Sequence, residues 1–327
     1  MNYVQWCVNR LFVSQLASNK NYQLKIKKNL KNILNTKELY IVMDRSDLAN
    51  RMKEYEKRNQ YYLQKRTPVA IRVDGRSFHT FTKGFKRPFD DILMKAMQET
   101  AKYMCENIQG AKFAYVQSDE ITIILTDYDT LETDCWFNYR TDKLCSISAS
   151  MATMAFNKYF MLAVEDYCEY NPDATLEQRN IYISAVEKGA MFDARCFNIP
   201  KEEVTNLIYW RQLDAIRNSI QMVGQANFSH KELQNKSCND IQDMLYKQKG
   251  INWNDYPTVC KRGTAVIKKI VAREEKSFID DMLEDSFDNV KNNIIEQISK
   301  WIIDTDIPIF KGEDREYIDR LVFVGEE

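Results

Sequence analysis

Two short apolar segments that stop at acidic residues constrain the fold of this chain more than any other feature. Residues 69–73 are rich in β-branched side chains and end at Asp74 and Gly75, which predicts a strand followed by a turn. Residues 111–125 contain two further apolar runs around an acidic turn that includes Asp119, which predicts a β-hairpin. If the hairpin pairs beside the first strand, Asp74 and Asp119 come together at one end of a sheet.

Helical patterns surround these strands. Ser46 is a plausible N-cap for a helix that runs toward Tyr62 and is ended by Pro68. A second helix is predicted to start at Asp90 or Asp91, because apolar residues then recur at helical spacing. That apolar stripe consists of Ile92, Leu93, Ala96, Met97, Ala101 and Met104. The order of strands and helices predicts a mixed α/β (α+β) fold.

The two carboxylates suggest a chemistry. Carboxylate oxygens beside a glycine, whose small size lets a backbone carbonyl turn inward, form an oxygen-rich site that suits Mg²⁺. Two-metal phosphoryl or nucleotidyl transfer needs such a cluster. The alternative is that Asp-Gly and Ser-Asp are turn residues chosen for local hydrogen bonds. A multi-histidine metal site is excluded, because His79 and His230 are the only histidines.

Composition narrows the class of protein. The chain has 327 residues, of which 44% are hydrophobic, enough for a buried core and inconsistent with a disordered protein. Its net charge of −1 excludes a globally basic nucleic-acid wrapper, so any polyanion must be bound by local basic clusters, through metal ions or along a groove between subunits. No apolar run reaches the roughly 18 residues of a membrane helix, so no membrane partner is expected.

The first 42 residues differ from the rest of the chain. They carry seven basic residues against the single acid Glu38, and they are rich in asparagine. We interpret them as an extension without a catalytic part. Because the eight cysteines form no C-x-x-C pair, they are predicted to be reduced thiols. The expected compartment is the cytoplasm, or the mitochondrion if the extension acts as a transit segment.

At this point the residues resemble a known family. An ordered set of motifs, between about residues 44 and 265, is similar to that of the tRNA-histidine guanylyltransferases. The set comprises Arg72-Val73-Asp74-Gly75-Arg76-Ser77-Phe78-His79, Arg87-Pro88-Phe89-Asp90, Gln117-Ser118-Asp119-Glu120, Tyr139-Arg140-Thr141-Asp142-Lys143-Leu144, Phe192-Asp193-Ala194-Arg195, Trp210-Arg211-Gln212, Asn218, Asn252-Trp253-Asn254-Asp255 and Lys261-Arg262-Gly263-Thr264.

The resemblance implies a polymerase- or cyclase-like palm domain that adds nucleotides in the 3′-to-5′ direction to the 5′ end of a tRNA. It implies two Mg²⁺ ions in each active site, with ATP, GTP and other nucleoside triphosphates as substrates. Asp74, Gly75 and Asp119 would be the metal ligands, with His79 as a catalytic contact in 5′-end activation. The nucleotide-binding residues would be Arg76, Ser77, Phe78, His79, Ser118, Glu120, Arg140, Lys143 and Asn218.

Arg140 and Lys143 are three residues apart, and on one side of a predicted helix both could reach a triphosphate. A solvated helix face is the alternative interpretation. Asn218 matches the family's asparagine-containing nucleotide segment, although an asparagine is equally a cap or turn former.

Departures from the family pattern indicate a substrate. The eukaryotic guanylyltransferases carry His-Ile-Asn-Asn-Leu-Tyr-Asn where this chain has residues 216–222, and only Asn218 and the apolar spacing remain. Such changes resemble the "like" branch of the family, which implies templated repair of 5′-truncated tRNA. Addition of a single G at position −1 of histidine tRNA is the alternative, and a nucleotide cyclase or a non-catalytic tRNA-binding paralogue are further ones.

The resemblance also implies a domain organisation and an assembly. Residues 1–42 form the extension, residues 43–190 the palm catalytic domain, and residues 191–327 a helical C-terminal region for nucleotide and tRNA binding. The implied partners are tRNA, nucleoside triphosphates and other copies of this chain in a homotetramer.

Overall fold

The structure, a computed structural model, describes residues 46–273 and 296–325. The predicted extension over residues 1–42 therefore lies outside the described residues. The chain divides into two compact units, residues 1–59 and residues 60–327. In the first, helix α1 spans Asp47–Lys57, and the side chain of Ser46 accepts the Ala49 N–H as an N-cap.

Helix α1 ends earlier than the sequence predicts. It stops at Lys57, and Tyr62 instead forms an isolated antiparallel bridge with Arg140. Leu63 donates a backbone hydrogen bond to the Tyr139 carbonyl at 3.0 Å. The backbone at Tyr62 and Leu63 is thus not helical, because its hydrogen bonds go to another segment of the chain.

A six-stranded antiparallel sheet organises the second unit. Its spatial order is β4-β1-β3-β2-β5-β6. In chain order the strands are β1 (Val69–Gly75), β2 (Ala111–Gln117), β3 (Glu120–Leu125), β4 (Phe192–Asn198), β5 (Thr264–Arg273) and β6 (Glu296–Asp304).

Helices cover both faces of this sheet. In chain order they are α2 (Phe78–Phe81), α3 (Asp91–Asn107), α4 (Thr141–Tyr170), α5 (Leu176–Lys188), α6 (Lys201–Asn227), α7 (His230–Leu233), α8 (Cys238–Lys249), α9 (Thr258–Arg262) and α10 (Glu316–Val322). Short 3₁₀ turns occupy Trp136–Tyr139, Trp253–Asp255 and Gly312–Arg315. No helix in the described part of the chain is long and apolar enough to cross a membrane.

Side chains along β1 alternate between two hydrophobic cores, one on each face of the sheet. Val69, Ile71 and Val73 are fully buried against α3 and α4. Ala70 faces the other way and packs with residues of α6 and α10. Because side chains alternate between the faces of a strand, Asp74 emerges on the same face as Ala70. The first carboxylate is therefore on the α6 side of the sheet.

The first four strands follow the order of a ferredoxin-like β-α-β-β-α-β unit. This arrangement is the palm-like fold that the sequence predicts. Strands β4, β5 and β6 continue the same sheet beyond residue 190, so the predicted boundary between residues 190 and 191 does not separate two sheets. The C-terminal helical part comprises α6–α10, together with a small third core around Val223 and Leu245.

Candidate active site

The end of β1 and the tip of the β2–β3 hairpin lie side by side. Asp74 is opposite Glu120 on β3 and opposite Asp193 on β4. The Gly75 N–H donates a hydrogen bond to the backbone carbonyl of Asp119 at 3.0 Å. The hairpin thus brings Asp74 and Asp119 together, as its sequence predicts.

Asp119 occupies an electrostatically unfavourable position. Partial burial, with the charges of Asp74 and Glu120, raises its pKa from 3.8 to about 6, although backbone hydrogen bonding and a hydrogen bond with Ser118 act in the opposite direction. Ser118 has a φ of 48°, a left-handed conformation that favours glycine. Residues held in such conformations are frequent at functional sites, since the surrounding structure must enforce them.

Gly75 is needed here because of a side chain. A Cβ on Gly75 would lie 2.2 Å from a ring carbon of Phe78. The Phe78 ring is itself buried, 5% exposed, and packs against Phe81, Phe156 and Phe192. The structure therefore places Phe78 in the core beneath the end of β1. It does not present the open ring that the prediction of a nucleotide-bordering residue requires.

Glu120 is engaged by an arginine from α6. The Arg211 Nε and a terminal nitrogen donate to the two Glu120 oxygens at 2.7 and 2.8 Å. Both side chains are buried, and Arg211 also contacts Asp214 at 3.0 Å. The ion pair of Glu120 with Arg211 thus links the hairpin to α6. It also neutralises the negative charge of Glu120, which lies beside the two aspartates.

A second arginine lies closer to Asp74. Arg195 on β4 pairs with Asp193 at 2.7 Å and approaches Asp74 at 3.6 Å. The sequence motifs include Asp193, Arg195 and Arg211, but the pattern assigns them no role. The spacing of Asp193 and Arg195 could have indicated that they act together, because residues two apart on a strand lie on the same face of the sheet.

The turn after β1 presents three of the predicted contact residues to solvent. Arg76, Ser77 and His79 are exposed, and the Arg76 N–H is held by the Met191 carbonyl at 2.8 Å. Ser77 has a φ of 55°, so this turn too contains a non-glycine residue in the left-handed region. Exposed polar side chains next to Asp74 are available to a ligand.

An open cleft adjoins the hairpin tip. Gln117 and Ser118 line it from the hairpin, and Asn218 lines it from α6. Its other walls are largely apolar, with Phe89, Leu93, Met97, Met222 and Val259. A largely apolar cleft with a few convergent polar groups is typical of a site for a small organic ligand such as a nucleobase and ribose. Ser118 and Asn218 therefore share a site.

Arg140 and Lys143 are not brought to this site within one chain. The Thr153 hydroxyl accepts the Phe192 N–H at 3.2 Å, and Phe192 pairs with Gly75, so Thr153 marks the level of the carboxylates along α4. Lys143 precedes Thr153 by ten residues, about 15 Å along a helix. Helix α4 also packs on the sheet face opposite to Asp74. Arg140 instead contacts Asp142 at 2.9 Å.

The side chains at this site provide some of the oxygen ligands that Mg²⁺ requires. Asp74 and Asp119 offer the carboxylate oxygens that Mg²⁺ prefers, and Asp119 has no ion-pair partner among the described residues. In the described ranges no three His, Cys, Asp or Glu side chains converge as a ready-made metal site. Mg²⁺ commonly keeps several waters and binds substrate phosphates, so two carboxylates with a backbone carbonyl are sufficient protein ligands.

Comparisons with known proteins agree with the fold. A family model described as tRNAHis guanylyltransferase matches residues 49–200. A bacterial tRNA(His) guanylyltransferase (Thg1)-like protein, solved in complex with ATP, is 39% identical with a TM-score of 0.65; the match covers 85% of this chain and 100% of that one. A structure of such a protein in complex with GTP has 37% identity and a TM-score of 0.64 over the same shares. The tRNA(His) guanylyltransferase of Saccharomyces cerevisiae is 27% identical over 62% of this chain and 82% of its own length.

Proposed function

Because this chain belongs to the tRNAHis guanylyltransferase family of nucleotidyltransferases, we propose that it extends tRNA in the 3′-to-5′ direction. In this proposal it restores 5′-truncated tRNA by adding the nucleotides that pair with the opposite strand of the acceptor stem. The observation that carries the proposal is the juxtaposition of Asp74 and Asp119 beside an open, largely apolar cleft.

The residues of the chain then have distinct tasks. Asp74, Asp119 and the Gly75 carbonyl would hold Mg²⁺, which supplies electrostatic stabilisation of the phosphates when bound. Arg211 keeps Glu120 neutralised, so the third carboxylate does not compete for the cation. The exposed Arg76, Ser77 and His79 would contact the triphosphate or the 5′ phosphate. Positioning of this kind is the main contribution that a protein makes to phosphoryl transfer.

The substrates would be ATP, GTP and other nucleoside triphosphates. The cleft between the hairpin and α6 would take the base and ribose, with Ser118 and Asn218 as its polar contacts. Support comes from the similar bacterial structures, which are described as complexes with ATP and with GTP.

Two observations favour repair over addition of a single G. Residues 216–222 lack the histidine and most of the asparagines of the eukaryotic guanylyltransferase segment. Among the solved structures, the chain is also 39% identical to a bacterial guanylyltransferase-like protein but 23% identical to the yeast enzyme. Template pairing would then select the nucleotide, since a mispaired triphosphate is displaced from the reactive alignment and small displacements strongly reduce the rate.

The wider setting belongs to the same proposal. The protein would act on tRNA as a homotetramer in the cytoplasm, or in mitochondria if residues 1–42 direct it there. Residues 43–190 would form the catalytic palm, and residues 191–327 would supply nucleotide and tRNA contacts.

The test is incubation of the full chain with 5′-labelled tRNA lacking one nucleotide, Mg²⁺, ATP and all four nucleoside triphosphates. We expect addition of the nucleotide complementary to the opposing base, with kcat/KM following the template when that base is changed. A fixed preference for GTP whatever the template, together with dependence on the histidine anticodon, would replace repair by single-G addition.

Two isosteric substitutions test the site itself. Asp74→Asn and Asp119→Asn should each lower addition by at least about a hundredfold, because the lost charge stabilises the transition state. Asp166→Asn is the control, since Asp166 is an exposed partner of Lys95 on the far side of the sheet. Near-normal addition by either site variant at saturating Mg²⁺ would contradict the assignment.

A further inference from the structure

A second concave surface adjoins the cleft and has a different chemistry. It is a groove, here called the basic groove, formed by the loop before α3 and by the segment that joins α6 to α8. Its lining includes Arg87, His230 and Lys236, and none of the described residues that line it is acidic. Three glutamines, Gln221, Gln225 and Gln234, supply further hydrogen-bond donors.

The cationic side chains of the basic groove have no hydrogen-bonded partner among the described residues, although Lys236 is close enough to Asp240 to interact with its charge. Arg87, His230 and Lys236 are exposed, and none of them makes a salt bridge or side-chain hydrogen bond within the described residues. The acidic residues nearest in sequence form hydrogen bonds with other groups. Glu232 and Asp240 accept backbone and hydroxyl hydrogen bonds of Ser229 and Ser237 in capping boxes.

The basic groove continues the cleft. Arg87 lies two residues before Phe89, which lines the cleft. On α6, Asn218 and Met222 line the cleft, whereas Gln221 and Gln225 line the groove. From Asn218 to Gln225 is seven residues, or about 10 Å along the helix. A chain whose end sits in the cleft could therefore pass directly into the groove.

We propose that the basic groove binds the phosphodiester backbone of the RNA whose 5′ end is extended in the cleft. The proposal rests on the proposed function, because that function makes the ligand of the cleft an RNA end. Arginine and lysine without internal partners, together with amide donors, are the groups that contact phosphate oxygens without reading sequence. A chain with a net charge of −1 needs such a local concentration of positive charge to hold RNA.

The test is the salt dependence of binding of a fluorescent 5′-truncated tRNA, measured by anisotropy with the full chain. The groove variant combines Arg87→Ala, His230→Ala and Lys236→Ala. Its matched control combines Lys158→Ala and Lys188→Ala, two exposed lysines on α4 and α5. Each variant removes two permanent positive charges, so the comparison isolates their location.

We expect the groove variant to bind tRNA on the order of tenfold more weakly, with the slope of log K against log salt reduced by about one per lost charge. The control variant should retain the affinity and slope of the native chain. Binding of Mg²⁺-ATP, measured by calorimetry, should be unchanged in both variants, because Arg87, His230 and Lys236 lie outside the cleft.

Equal tRNA affinity and slope in the groove variant and the control would overturn the groove assignment. If the groove variant loses tRNA affinity but the native chain never adds a nucleotide, the groove stands and the proposed function fails. If the groove variant keeps native tRNA affinity while the native chain performs templated addition, the function stands and the groove fails.

Discussion

Asp119 illustrates how a single residue can be unfavourable for folding and useful for function. Its carboxylate is partly buried beside Asp74, and its pKa is raised to about 6 for that reason. A folded state that binds this proton more tightly than the unfolded state is stabilised below pH 4 and loses that stabilisation as pH rises through 6. At neutral pH the charged pair therefore opposes folding unless a cation lies between the two carboxylates.

This predicts a stability effect of Asp119→Asn in protein freed of divalent cations. At pH 7.5 the variant should be more stable than the native chain by about 3 kcal/mol, and below pH 4 the difference should vanish. Urea denaturation in EDTA across this pH range measures it. Addition of Mg²⁺ at pH 7.5 should raise the Tm of the native chain more than that of the variant. A difference that does not depend on pH would show that burial of charge is not the cause.

Gly75 depends on its neighbour in a comparable way. A strand end followed by Asp-Gly predicts a turn at Asp74 and Gly75, but the strand runs on through both residues. Gly75 continues strand β1, and the constraint is the ring of Phe78 packed on its backbone. That contact depends on the buried aromatic cluster of Phe81, Phe156 and Phe192, which no local pattern around residue 75 reveals.

Gly75→Ala should therefore destabilise the protein by about 1–3 kcal/mol, the usual cost of forcing an extra methyl group into a packed core. It should also reduce nucleotide addition, because Asp74 would move with the strand end. A combined Gly75→Ala, Phe78→Leu variant should cost less than the sum of the two single changes, since the smaller side chain removes the clash. Strict additivity in urea denaturation would contradict the steric explanation.

At the scale of elements, α6 connects the hairpin to the rest of the site. Val204 and Ile208, in its first half, pack on the sheet. Arg211 forms an ion pair with Glu120, and Asn218, further along the helix, faces the cleft. Local patterns predict the strands and the hairpin well, because alternation and turn residues are properties of adjacent positions. The Arg211–Glu120 pair spans 91 residues, so no spacing rule could have found it.

Removal of Arg211 should have a larger effect than removal of the whole pair. Arg211→Met leaves Glu120 buried and unpaired, and we expect a loss of about 3–5 kcal/mol in the free energy of unfolding. Glu120→Gln combined with Arg211→Met should recover much of this loss, because no buried charge then lacks a partner. The measurement is a double-mutant cycle by urea denaturation. If the double variant is no more stable than Arg211→Met, the role of Arg211 as the partner of Glu120 is wrong.

At the scale of the whole molecule, the sheet divides the predicted site residues into two groups. Asp74, Asp119, Ser118 and Asn218 gather at one end of the sheet, on or beside the α6 side. Lys143 and Arg140 start α4 near the opposite end and on the opposite face. The sequence motifs could not reveal this separation, because their order along the chain does not say how far apart they lie in the folded protein. A role for Lys143 on the same triphosphate therefore requires a second copy of the chain.

Subunit complementation tests that requirement. Asp119→Asn and Lys143→Ala should each be inactive alone. The first variant lacks an intact carboxylate pair, and the second lacks the contact with the triphosphate. Mixed assemblies from co-expression should regain part of the native activity, since one subunit can offer an intact carboxylate pair to the intact Lys143 of another. Co-expressed Asp119→Asn and Asp74→Asn chains are the control and should remain inactive, because both changes damage the same end of the sheet. If Lys143→Ala is inactive and mixing restores nothing although light scattering shows mixed oligomers, Lys143 does not act across subunits. If Lys143→Ala is instead fully active, the exposed position of Lys143 on α4 is that of a solvated helix face.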